Sequence, residues 1–153
     1  MSHISVTHKL KKAAIMKYSL LVVVLFTAFN GNAQDSDPDL FQTWNLNFVQ
    51  SSDAGTPYEV SEIEPEITPT LTILENYEFS GEGACNRFSG IYNFPNSNIL
   101  ETFDYSNTNE DCGVQAHTSF EIEFFSFMQD AGSYEITQED DGLVLTISNA
   151  IFG

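Results

Sequence analysis

From Thr43 to Ser148 the sequence consists largely of short runs in which apolar and polar residues alternate, each bounded by turn formers. Trp44, Leu46 and Phe48 alternate with Thr43, Asn45 and Asn47. A period of two sends successive side chains to opposite faces of a strand, so this run predicts a strand with one buried face. Further runs of β-branched and aromatic residues follow at Thr70 to Leu74, Tyr77 to Ser80, Phe88 to Phe94, Ile99 to Tyr105, Tyr134 to Gln138 and Leu143 to Ser148. Glu75-Asn76, the glycines around Gly81 and Asn96-Ser97 mark turns between them. Glu139-Asp140-Asp141-Gly142 separates the last two runs, and Asp-Gly between alternating runs is a strong hairpin signal. Short strands joined by short turns are antiparallel neighbours. Residues 51–69, rich in Ser, Pro and Glu, read as a long surface loop with a short irregular strand near Tyr58 to Ile63.

One stretch departs from this pattern. In His117 to Ala131, Phe120, Phe124, Phe127 and Met128 recur at helical spacing. Thr118 and Glu121 have the spacing of a capping box, and Gly132 stands where a helix would stop. The expected fold class is therefore α+β, mostly β, with one helix against an antiparallel sheet.

The amino end has another character. Met16-Lys17-Tyr18 is a basic start, Ser19 to Phe29 is an apolar run, and Gly31-Asn32-Ala33 supplies small residues at a cleavage site. The run falls short of the roughly 20 residues that cross a bilayer, so a signal peptide cleaved after Ala33 is expected instead of an anchor. Residues 1–15 add a polar, basic preamble that such a signal does not need, and Met16 is the expected start. The domain organisation read here is an extension and signal over 1–33, a flexible acidic leader over 34–42, and one folded domain over 43–153. The expected location is the periplasm, the cell envelope or the exterior, with no membrane span in the mature form. No cysteine lies near the cut to carry a lipid.

All 22 Asp and Glu residues follow Ala33 and face one cation there, Arg87, which leaves that part of the chain at −21 (22 acids against one Arg). Phosphate binding needs Lys and Arg in numbers, so nucleic acid is excluded as a partner. A soluble monomer follows from the same repulsion. The two cysteines, Cys85 and Cys112, are expected to form a disulfide in an oxidising compartment. With His117 as the single mature histidine, they lack zinc-site spacing.

No reaction is legible. The mature chain has no G-x-S-x-G elbow, and a structural role is expected for His117. Alternate carboxylates at Asp35, Asp37 and Asp39 resemble the start of a calcium loop, but Leu40 and Leu46 stand where Gly and Glu are required. Glu139, Asp140 and Asp141 are weak candidates for a hard cation, with hairpin geometry the simpler reason for them. Arg87 is expected to pair with an acid across the sheet. The strand aromatics form the core, or line a cavity for a small apolar ligand.

Gly83-Ala84-Cys85-Asn86-Arg87-Phe88-Ser89-Gly90-Ile91-Tyr92 resembles the G-x-C-N-x-x-x-G-x-Y segment of META domains, the HslJ-like heat-shock and envelope proteins. Trp44 and Leu46, Pro69-Thr70-Leu71-Thr72-Ile73, the Thr108 to Cys112 segment, Tyr134-x-Ile136 and Leu143-x-Leu145 fall in family order. The resemblance marks Gly83, Cys85, Asn86, Gly90 and Tyr92 as motif positions. It implies an antiparallel β meander curled into a half-barrel with one helix packed against it, and a bond between the two cysteines. It implies no enzymatic activity and no cofactor, but a stress-related or envelope role through an unidentified protein or small molecule, with calcium or an apolar ligand as the alternative. One departure is that the family adds a final strand after the Leu143 hairpin, where this chain has Ile151-Phe152, so either a truncated chain or an open last sheet edge is expected there.

Overall fold

A computed structural model describes residues 2–8, 36–50, 58–130 and 132–149. Its strands are β1 (Ser2–His8), β2 (Thr43–Gln50), β3 (Tyr58–Glu59), β4 (Thr70–Ile73), β5 (Glu78–Glu82), β6 (Arg87–Asn96), β7 (Ile99–Asn107), β8 (Gly132–Glu139) and β9 (Gly142–Asn149), with one helix, α1 (Gln115–Met128). The seven strands expected after Thr43 all form, within a few residues of the predicted bounds. The strand expected near Tyr58 to Ile63 is confined to β3, and a 3-10 turn at Val60–Glu62 takes up most of the rest of that span.

The sheet runs β1-β9-β8-β7-β6-β5-β4-β2, and β1 also pairs with β2, so eight strands close on themselves while β3 lies beside β2. This corrects the expected half-barrel and the expected open edge. β1 pairs antiparallel with β9 from Ser2↔Asn149 to His8↔Leu143, and with β2 from His3↔Gln50 to Thr7↔Asn45. Ile4 stands between Val49 and Ile147, and Val6 between Leu46 and Leu145. Both side chains are fully buried. His3, Ser5 and Thr7 alternate with them, so Ser2–His8 is a strand by the same rule that identified the others. It lies within the stretch expected to leave with the signal.

Alternate residues of the other strands fill the barrel: Trp44, Phe79, Phe88, Tyr92, Phe94, Leu100 and Leu145 are all buried. Phe79 stacks on Tyr92 with ring centroids 4.2 Å apart. α1 covers one end. Its Phe124 meets Phe88 edge-on at 5.2 Å, Asn149 Nδ2 donates to the Phe127 carbonyl at 3.1 Å, and Thr102 Oγ1 donates to the Met128 carbonyl at 3.0 Å. The helix starts from Val114, without a side-chain cap. The expected capping box does not form. Thr118 Oγ1 donates to the Val114 carbonyl, Glu121 is buried against the barrel, and Gly132 opens β8 instead of ending the helix.

At the other side of the predicted leader, Pro38–Leu40 forms a 3-10 turn and Leu40 is fully buried. Trp44 Nε1 donates to the Leu40 carbonyl at 3.1 Å, and the Asp37 amide donates to the Tyr134 hydroxyl at 3.2 Å. Among the described residues no helix is long and apolar enough to cross a membrane. The apolar run Ser19 to Phe29 lies outside those residues.

Candidate functional site

The densest polar cluster lies where α1 meets the turn between β5 and β6. That turn closes with the Gly83 amide donating to the Asn86 carbonyl at 2.7 Å. Cys85 on the turn is bonded to Cys112, 27 residues on, with Cα atoms 5.6 Å apart. Beneath the bridge lies the Glu121 carboxyl group, 5% exposed. Its Oε1 accepts from the backbone amides of Cys85 and Asn86, both at 2.7 Å. Its Oε2 accepts from Asn86 Nδ2 at 2.7 Å and lies 3.3 Å from Cys112 Sγ.

Asn86, 3% exposed, is the hub. Besides Glu121, its Nδ2 donates to the Glu110 carbonyl at 2.9 Å. Its Oδ1 accepts from Thr108 Oγ1 and from the Glu110 amide, both at 2.7 Å. Both faces of one amide are thus satisfied, which a carboxyl group could not do because it offers too few donors. Gly83 makes room: a Cβ there would come within 2.6 Å of Glu121 Oε1 and 2.9 Å of the Phe125 ring. Gly90 does the same for the core, since a Cβ would lie 2.5 Å from the Phe79 ring. Tyr92, the last motif position, is buried among the aromatics, and burial pushes its hydroxyl pKa up, with a smaller contribution from Tyr105. Burial, and secondarily Glu121, also raises Tyr105, whose hydroxyl oxygen is buried without a hydrogen-bond partner among the described residues.

The corner joins elements and offers little chemistry. Cys85 Sγ, Cys112 Sγ and a Glu121 oxygen lie within 4.8 Å of one another, but the sulfurs are bonded to each other, and a metal is held by thiolate.

The other candidates from the sequence are scattered. Asp35 lies outside the described residues; Asp37 and Asp39 are exposed, with Asp37 Oδ1 accepting from the Asp39 amide at 2.9 Å as the cap of the 3-10 turn. Glu139, Asp140 and Asp141 are exposed at the β8–β9 hairpin. Among the described residues, Asp37, Asp39 and Glu139 to Asp141 form no cluster with Glu121. Arg87 pairs with its cross-strand neighbour Glu82 at 3.1 Å, both side chains well exposed. His117 is buried, its Nε2 2.7 Å from the Pro65 carbonyl oxygen. Glu121 was missed by the capping-box reading. The available signal was its position on the stripe formed by His117, Phe120, Glu121, Phe124, Phe125 and Met128, all of which are buried.

An eight-stranded antiparallel barrel with a filled interior, one helix over an end and a disulfide-braced Cys-Asn corner defines the class of protein: a small, mostly β barrel domain. The META domain family model matches residues 39–151, and the chain belongs to that family. The family is not known as one of enzymes. The NMR structure of the protein from Burkholderia xenovorans has the same fold, with a TM-score of 0.51 and 21% identity over 90% of this chain and 99% of its own. No curated protein matches the sequence.

Proposed function

We propose that this is an exported META domain protein of the cell envelope or exterior, without catalytic activity, that works by contact with another protein. The observation carrying this reading is how the polar and apolar groups are distributed. The buried polar corner is used internally, whereas the outer face of the barrel presents Leu74, Ile91 and Phe103 at 48, 38 and 50% exposure. Ile91 and Phe103 are direct cross-strand partners, and Leu74 and Ile91 line one groove of about 340 Å³. Clustered exposed apolar side chains mark contact surfaces more often than chance placement does.

Fractionation of a bacterial host expressing the chain, followed by intact mass measurement, tests export. The mass of residues 34–153 in the periplasm or medium supports it, and a full-length cytoplasmic product refutes it. Site-specific photocrosslinking in the source cells tests contact: adducts are expected from position 103 and not from position 140. The alternative reading, capture of calcium, draws on the exposed carboxylates of Asp37, Asp39 and Glu139 to Asp141.

A further inference from the structure

The barrel is closed by a strand from the part of the chain that the export reading removes, and the seam that strand fills is built to hold it. β1 is flanked on both sides: its backbone pairs with β9 over seven residues and with β2 over five. Two interior sites receive its branched side chains, Ile4 between Val49 and Ile147, Val6 between Leu46 and Leu145. On the outer side, His3 Nδ1 lies 2.7 Å from Ser148 Oγ, Thr7 Oγ1 donates to Asn47 Oδ1 at 3.3 Å, and Asn45 Nδ2 donates to the Thr7 carbonyl at 3.4 Å. The outward side chains of β2 and β9 that meet β1 are uncharged: Asn45, Asn47, Phe48 and Gln50 on β2, and Val144, Thr146 and Ser148 on β9.

Removal of β1 leaves two facing strand edges with unpaired amides and carbonyls above two apolar sites, the arrangement that invites strand addition. We propose that the seam between β2 and β9 is a strand-acceptor site. It holds Ser2–His8 in the uncut chain. Once residues 1–33 are removed, it takes an extended segment of a partner protein that carries branched apolar residues two positions apart and small polar residues between them. The second step rests on the export reading; the acceptor property does not.

The test uses the full chain with a specific protease site introduced between His8 and Gln34. After cutting, the amino-terminal fragment is expected to stay with the body through gel filtration. A labelled synthetic peptide of residues 1–9 should displace it saturably and raise the melting temperature of fragment-depleted protein by several degrees. A peptide carrying Ile4→Asp and Val6→Asp should do neither. Equal binding of both peptides overturns the proposal, as does a depleted body that binds no peptide at an unchanged melting temperature, or one that unfolds and is not restored by the peptide. Recovery of uncut chain from the host would refute export and leave the exchange result standing.

Discussion

Two parts of the barrel wall are closed by different means. At the corner of the β5–β6 turn, closure is covalent and polar: one disulfide, and an Asn86–Glu121 pair whose hydrogen bonds reach the turn, the helix and the Thr108–Glu110 segment. At the β2–β9 seam, closure depends on a backbone ladder and two buried branched side chains from one terminal strand. The corner links segments 22 to 36 residues apart through a covalent bond and several hydrogen bonds, and is expected to lose its partners only when the domain unfolds. If the seam strand leaves, β2 keeps β3 and β4 and β9 keeps β8, so its free energy of opening is expected to be a local quantity. Stability in the first region is therefore expected to follow global unfolding, and in the second to follow detachment.

The largest effect should come from Asn86→Asp. It removes a donor and sets a second carboxyl group against Glu121 in a buried site, and about 4 kcal/mol of lost stability is expected. For a domain of this size that corresponds to a fall of roughly 10 °C in Tm. Urea melts of the two proteins measure it. A loss below about 1 kcal/mol would mean that water reaches the site and that the corner is no firmer than the seam.

Next comes the bridge. Cys85 and Cys112 lie 27 residues apart, and replacing both by serine should cost about 3 kcal/mol through the freed entropy of the unfolded chain. The paired prediction is that Asn86→Asp costs less in the serine background than in the native one, because both changes act on one turn.

The corner and the seam were unequally legible for physical reasons. Strand periodicity is local, so β2 and β4 to β9 could be read residue by residue, and the Cys-Asn-x-x-x-Gly-x-Tyr run pointed to the corner. The function of Glu121 was not legible, because a Glu three residues after a Thr has the same spacing whether it caps its own helix or reaches a distant turn. Only its place on the apolar stripe separated the two. At the seam, His3-Ile4-Ser5-Val6-Thr7 carried an alternation as clean as that of β2. Its position ahead of an apolar, signal-like run gave it a competing explanation, and pairing with β2 across 38 to 47 residues and with β9 across 135 to 147 leaves no local trace. Closure of the sheet, which depends on that pairing, was therefore out of reach, and the half-barrel followed.

A smaller effect tests the seam directly. Ile4→Ala and Val6→Ala would together cost about 4 kcal/mol if both cavities were forced on an intact barrel. The expected loss levels off near 2 kcal/mol, because β1 detaches as a unit once its packing is weaker than its opening cost. Hydrogen exchange should agree, with the β1 amides exchanging well before those of β6. Full additivity, with β1 and β6 protected alike, would make the seam as integral as the corner.

The smallest expected effect concerns the acidic surface that both regions share. Glu139, Asp140 and Asp141 extend from the β8–β9 hairpin, and Asp37 and Asp39 from the 3-10 turn before β2, all exposed to solvent. Exposed carboxylates that do not converge respond to a divalent cation mainly by screening, which does not distinguish calcium from magnesium. At fixed ionic strength the two ions should shift Tm equally, by about one degree or less. A rise of several degrees specific to calcium would reverse this reading, since a site of that strength needs six or more oxygens around one ion. If Asp141→Asn alone removed that rise, the hairpin would hold the ion. Because this hairpin joins β8 to the strand that receives β1, calcium would then brace the seam as the disulfide braces the corner.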